Sequence, residues 1–508
     1  MTKQSGQVSV LLIVGTLYAM ALWKSPAWGG DAPPDTWRPL AAAVHVHSTA
    51  STGTLSVEQL AGLAEQRGLD AIILSDNFVL HYEYGLFPFR QALRRTVSRP
   101  SVIDYGIERY FEDVAEAQRR HPGVLLLPGF EMAPHYYWTG SLWTRDLTMH
   151  DAQKNLLVFG LARAEEVRDL PVNGNCQSDR YGWETALGAI PAFLFIPAVW
   201  FWRLKTHRTI RVGVVSYRVT RRYHVPALLL AAVAGALLIN AWPFSQARFS
   251  QYDESLAYGP HQALIDTVRS RGGATLWSMP EARDFNVFSY GPLGNVTVKT
   301  EPYPDALLKT ADYTGFGGLY EDTRMATQPG GPWDQAIAQY LAGQRRTAPL
   351  VFGEIAYHGP GGDQKALDQI LTVFWVRERT AAGVLEAVRA GRFYATYAHQ
   401  RDYGLRLDAL QLEDETGARV AGVGDTFLRP DAREIVVRVA VSATDRAVHP
   451  VTVAVIRSGQ VIARVTGETP FAQRIVDRLL PSGAQAAYRV EVTGQGEVLS
   501  NPMFVKGG

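Results

Sequence analysis

The chain has 508 residues, enough for two or three domains that each bury an ordinary core. With 50 lysines and arginines against 49 aspartates and glutamates the net charge is +1, which excludes a large basic surface for nucleic acid. A single cysteine, Cys176, excludes an intrachain disulfide and any cysteine-based zinc site, so a metal ion would need His, Asp and Glu as ligands.

Residues 8–23 form an apolar run after a short polar start carrying Lys3, the right length for a signal h-region or a transmembrane anchor. Ser25-Pro26-Ala27 offers small residues for cleavage, so anchor and cleaved signal both stand. A Gly/Pro-rich linker over 29–34 follows. From about 40 to 175 strand-like and helix-like patterns alternate: AAAVHVHS over 41–48, SVEQLAGLAEQRG over 56–68, LDAIILSD over 69–76. Ser56 is placed to cap the helix and Gly68 to end it. The spacing then predicts an amphipathic helix over 107–120, a buried strand over 124–129 and another over 155–160.

Two further apolar stretches, 185–202 and 226–244, are each just long enough to span a bilayer. Between them stand Arg203, Lys205, Arg208, Arg211, Arg218, Arg221 and Arg222 with no acidic residue, the bias of a cytoplasmic loop. Trp183, Trp200, Trp202 and Trp242 sit near the ends of the stretches, where amphipathic rings prefer the interface. The reading is a transmembrane hairpin over 185–244 in the inner (cytoplasmic) membrane, with the large segments on its periplasmic or extracellular side and the lipid bilayer as a partner. Beyond it, a helix over 261–271, Gly272-Gly273 and a strand over 274–277 resume the alternation. One α/β barrel-like domain, 40–175 and 255–400, interrupted by the hairpin, is therefore expected, with active groups at the C-terminal ends of its strands. From 403 to 508, short alternating runs separated by turn residues predict an antiparallel β-sandwich.

The chemistry-bearing motif is His45-Val46-His47-Ser48, at the end of the first strand. Alternation puts both imidazoles on one side, within reach of one cation. Leu74-Ser75-Asp76-Asn77 closes the next strand, and Leu127-Pro128-Gly129-Phe130-Glu131 the one after. Aromatic residues over 135–143 either line a binding mouth or contact the membrane interface, the latter being favoured by the nearby hairpin. Arg392 and Tyr394 either face an anion or, for Arg392, make a helix-end salt bridge.

In this order the motifs resemble the PHP (polymerase and histidinol phosphatase) family, in particular members with a C-terminal β-sandwich. His45-Val46-His47-Ser48 matches its opening H-x-H-S; Ser56, Glu58, Leu60, Ala64, Gly68, Leu69 and Asp70 fit the helix that follows. Gly129-Phe130-Glu131 matches G-x-E, Ile355-Ala356-Tyr357-His358-Gly359 looks like the late S-D-A-H-G, and 385–396 is close to the closing L-x-x-G-R-F-Y-A-T helix. The resemblance implies a distorted (β/α)7 barrel, divalent metals and phosphoester hydrolysis. It implies His45, His47 and Glu131 as ligands of Zn, Mn or Fe.

The chain also departs from the pattern. Asn77, Met279 and Gln153 stand where the family has histidines, and Ala356 where it has an aspartate; Glu354, two residues earlier, is offered as a substitute ligand. His135 and His150 lie close enough in sequence to replace a lost ligand. His358 is expected as ligand or general acid, and Asp76 as a group that orients a ligand. The expected centre is reduced to one ion or none. Two functions follow: a metal-dependent phosphoesterase acting on a small phosphoester, or a catalytically inactive binding or scaffold protein at the membrane.

Overall fold

The computed structural model describes residues 37–508 apart from 243, 292–293, 321–323, 362–364, 400–402, 430–433, 479, 482 and 508. The apolar run 8–23 lies outside the described residues. Strand β1 (Arg38–Val46) is buried from Ala42 onward and lies parallel to β2 (Ala71–Leu74), with helix α1 (Val57–Gln66) crossing between them. α1 begins as the sequence predicts. Ser56 Oγ accepts from Gln59 N at 3.2 Å while Gln59 Oε1 accepts from Ser56 N at 2.9 Å, and Gly68 at φ +68° turns the chain into β2.

The same logic continues through β3 (Asp76–Asn77), α2 (Ile107–Arg120), β4 (Leu125–Leu127) and β5 (Gly129–Met132), β4 pairing parallel with β2 and β5 with β3. β6 (Leu156–Phe159) is antiparallel to β5 and to β7 (Ala274–Trp277), which follows α3 (Gly259–Ser270). No helix links β5 to β6, and without a helical crossover a parallel neighbour is not required. β8 (Gly315–Leu319) pairs parallel with β7, and after α4 (Pro332–Leu341) β9 (Leu350–Gly353) pairs parallel with β8. Ile355 N then bonds Val44 O (3.0 Å), Tyr357 N bonds His45 O (2.9 Å) and His47 N bonds Tyr357 O (2.9 Å), so the pairings return to β1.

β10 (Ile370–Val376), α5 (Ala381–Ala390) and β11 (Phe393–Ala398) complete this part, β10 pairing with the first half of β1. The C-terminal strands form two facing layers around a Val/Leu-rich core, as the alternation predicts. One layer orders Val420–Gly422, Leu405–Asp414, Ile435–Ala443 and Phe471–Asp477. The other is not separate: Gly496–Ser500 pairs antiparallel with β11, so one sheet runs from the C-terminal region into the α/β region. The boundary expected near 400 is a change of pattern, not a break in the sheet.

The stretch 185–202 folds as successive short helices, Trp183–Ala186, Leu187–Leu194 around Pro191, and Phe195–Arg203. The arginine-rich segment is a fully exposed β-hairpin, Lys205–Val212 with Val215–Arg222, turning at Gly213. Among the described residues one helix, His224–Ala241, is long and apolar enough to cross a membrane; the apolar segment Leu187–Arg203 is shorter.

Candidate metal centre

The C-terminal ends of β1, β3, β5, β7 and β9 converge, and the chain leaves them under strain. His45 (φ +71°), Met279 (φ +38°) and Ala356 (φ +49°) all occupy the left-handed region, each just beyond or at the end of a strand. At His45 the cause is a bulge: Val44 pairs with Ile73 and Val46 with Leu74, leaving His45 as the extra residue. The two imidazoles do share one side, ring centres 4.9 Å apart, through this bulge rather than through regular alternation.

His45, His47 and Glu131 are buried, and one donor atom from each lies within 4.8 Å of the others. His45 Nε2 is 3.4 Å from Glu131 Oε1, and His47 Nε2 3.7 Å from Glu131 Oε2. Neither Nε2 has a hydrogen bond, although both are buried. Two orphaned imidazole nitrogens and a carboxylate aimed at one point fit a divalent ion, because burying such atoms without a partner is costly. Glu131 is itself fixed: Asn77 Nδ2 donates to its Oε2 at 2.5 Å and Asn155 Nδ2 to its Oε1 at 2.7 Å. Gln153 Oε1 accepts from Asn155 at 3.1 Å.

Glu354 does not take the ligand position expected of it. Its Oε1 lies 2.5 Å from His45 Nδ1, on the far side of the ring from Glu131, and it also accepts from Ser278 Oγ and from Met279 N. Coming from just beyond β9, the carboxylate meets the back of the ring before it can reach the centre. A carboxylate there orients the imidazole and directs its other nitrogen to the centre. Gly317 is required for this placement, since a Cβ on it would overlap Glu354 Oε2.

Asp76 is buried and touches neither histidine. It accepts from Ser48 N (2.7 Å), Ser48 Oγ (2.9 Å) and Ser51 Oγ (2.6 Å), pinning the loop after His47. Ser51 Oγ and Thr52 Oγ1 stand 3.5 and 3.4 Å from His47 Nδ1, so Asp76 acts on His47 only through that loop. His358 stacks on His47 at 4.1 Å and 7°, exposed at the mouth, with Nδ1 3.2 Å from Thr52 Oγ1. His135 and His150 are elsewhere: His135 Nε2 donates to Ser250 O, and His150 stacks on Tyr137. Arg392 makes the helix-end salt bridge, 2.9 Å to Glu386.

Charge follows from this packing. Burial opposes a charged His45, but Glu131 and Glu354 on its two sides outweigh it and raise its pKa to about 10. Burial, then the neighbouring cationic His45, push His47 well below its ordinary 6.5. Burial likewise opposes the Glu131 carboxylate, and His45 outweighs it, holding the group at about 2. Burial raises Asp76 against the pull of its serine donors.

Sequence reasoning missed Asn155, Ser278 and Gly317, whose roles need strands far apart in the chain, and it missed the walls above the centre. A hairpin, His81–Gly85 with Arg94–Ser98, and a four-stranded sheet of Asp284–Ser289, Asn295–Thr300, Thr148–His150 and Tyr137–Thr139 surround a cavity of about 700 Å³ whose floor includes His45, Glu131 and His358. The aromatic run 135–143, favoured above as an interface contact, is divided. Trp138 lines the cavity with its Nε1 donating to Glu83 O (2.8 Å), Tyr136 is buried behind it, and Trp143 is exposed.

No family model matches the chain, and no curated protein matches it. Solved structures similar to it include a two-domain protein containing a predicted PHP-like metal-dependent phosphoesterase from Bacteroides vulgatus, 12% identical with TM-score 0.35, covering 90% of this chain and 91% of that one. A second, from Bifidobacterium adolescentis and provisionally named a metal-dependent phosphoesterase, is 15% identical with TM-score 0.25, covering 64% and 90%. A third is an amidohydrolase from Chromobacterium violaceum with bound sulfate and no metal, 12% identical with TM-score 0.25, covering 68% and 96%. At these scores the likenesses stand as observations, and the chemistry is read from the residues.

Proposed function

We propose that this chain is a membrane-attached, PHP-like metal-dependent phosphoesterase with a single-ion centre on a distorted (β/α)7 barrel. The observation that carries it is the pair of buried, unbonded Nε2 atoms of His45 and His47 facing Glu131. A divalent ion of the Zn, Mn or Fe class bound there supplies a Lewis acid and an acidified water. The chain's own groups do the rest. Glu354 fixes the tautomer of His45, Asn77 and Asn155 hold Glu131, and Asp76 sets the loop behind His47. His358, exposed beside His47 and steadied by Thr52, is placed to give a proton to a leaving alkoxide. The apolar segments within 185–244 attach the protein to the inner membrane, with the α/β and β-sandwich parts on the periplasmic or extracellular side.

A second reading, a silent binding protein, is favoured by one observation: both oxygens of Glu131 already accept amide hydrogens. Elemental analysis of the detergent-purified full chain separates the two. About one equivalent of Zn, Mn or Fe is expected in the protein and none in His45→Ala/His47→Ala. Metal-loaded protein should hydrolyse an alkyl phosphate, whose alkoxide leaving group needs a proton, and His358→Ala should lose most of that rate. Absence of metal from both samples would overturn the enzyme reading.

A further inference from the structure

We infer that the cavity over the centre binds an anionic amphiphile, a phosphate head on the floor and an acyl or alkyl chain along the walls; this deepens the phosphoesterase reading and rests on it. The walls are the first observation. Tyr84, Val97, Trp138, Met149, Val296 and Val298 face the space, and at about 700 Å³ it holds far more than a phosphate. A hydrocarbon chain gains by leaving water against these apolar side chains.

Charge is the second observation. Arg95, Arg99 and Arg283 line the same space, against one wall carboxylate, Asp284, and Glu131 at the floor. An anionic head is thus met by three guanidinium groups against two carboxylates. Connectivity is the third. The hairpin His81–Gly85 with Arg94–Ser98 gives the cavity Tyr82, Tyr84, Arg95 and Val97, and its tip is tied to the apolar helix His224–Ala241: Gln91 N and Ala92 N both donate to Asn240 Oδ1, at 3.0 and 3.2 Å. Phe87 in that tip is 79% exposed. One wall of the cavity therefore continues to the one described helix long and apolar enough to cross a membrane, the route a chain taken from a bilayer would follow.

The test uses the full chain in phosphatidylcholine nanodiscs and monoalkyl phosphates from butyl to decyl, each below its micelle concentration, read by quenching of tryptophan fluorescence. Affinity should rise at least roughly twofold per methylene, out of the roughly fourfold that full burial would give. Two variants remove the chain contribution without adding charge and report uptake by the disc itself: Val296→Asn/Val298→Asn, and Val97→Asn on an exposed strand. Both should flatten the chain dependence. A slope identical in wild type and both variants would overturn the inference while leaving the phosphoester reading intact. If neither short nor long phosphates bind, the phosphoester reading itself falls. Competition by phosphatidic acid carried in the disc assigns the ligand to the bilayer, and competition only by soluble decyl phosphate assigns it to a free amphiphile; the class stands under either.

Discussion

Two buried charged clusters in this protein are built on opposite plans. Where helix α4 meets the C-terminal sheet, Arg489 donates to Asp334 through Nε at 2.9 Å and Nη2 at 2.8 Å, and Nη2 also reaches Thr327 O. Asp334 takes a further bond from Gly330 N, and the guanidinium lies 4.6 Å over Trp333. One cation meets one anion in a fork that uses both carboxylate oxygens. At the strand ends, two imidazoles share Glu131 and turn unbonded nitrogens toward a common point. In the first cluster both carboxylate oxygens are engaged and the pair belongs to the fold, with only Arg489 Nη1 left without a hydrogen bond; in the second the unbonded nitrogens converge with a carboxylate on one point, the arrangement of a ligand site.

That contrast can be broken by removing one member of each. Asp334→Ala leaves a guanidinium buried without its anion and should lower stability by about 3–5 kcal/mol, measured by chemical denaturation, with metal content per folded protein unchanged. If the loss is under about 1 kcal/mol, the seam is not the closed pair described.

Acid–base behaviour sharpens the comparison. In the metal-free protein the His45 pKa stands near 10, raised from 6.5, so its ion pairing stabilises the fold fully below pH 6.5 and is lost as pH rises through 10. An ion can bind Nε2 only after that proton leaves. Metal affinity should therefore climb about tenfold per pH unit between 7 and 9, roughly a hundredfold in all, in a competition assay against a chelator of known pH dependence. A flat profile would show that His45 is not a ligand.

What the sequence disclosed depends on how local each feature is. α1 with its Ser56 cap, the 107–120 helix and the motifs around His45 and Glu131 are written in contiguous residues, and the structure has them in place. The partner of His45 is Glu354, 309 residues away, and only the pairing of distant strands decides that it meets Nδ1 rather than the centre. The continuity of Gly496–Ser500 with β11 is hidden for the same reason. The hairpin Lys205–Val212 with Val215–Arg222 is a different miss. Its β-branched alternation and its Gly213 turn are local hairpin signals that sit beneath the row of arginines.

Glu354 is where the two plans meet, since it is bonded like the seam but serves the open centre. Glu354→Gln keeps the shape while removing the charge, and it acts on metal binding in two opposed ways. Losing the anchor on Nδ1 loosens the ring and should weaken the site about 10–100-fold. Losing the charge also removes one of the groups that hold the His45 proton, so that proton becomes easier to displace. At pH 7 the second effect offsets part of the first. At pH 9 wild-type His45 is nearer to releasing its proton, the offset shrinks, and the deficit of the variant should be larger. Titrating the same metal into both proteins at the two pH values reads this directly. A deficit that is equal at both would mean that Glu354 orients His45 without setting its charge, and no deficit at either pH would mean that it does neither.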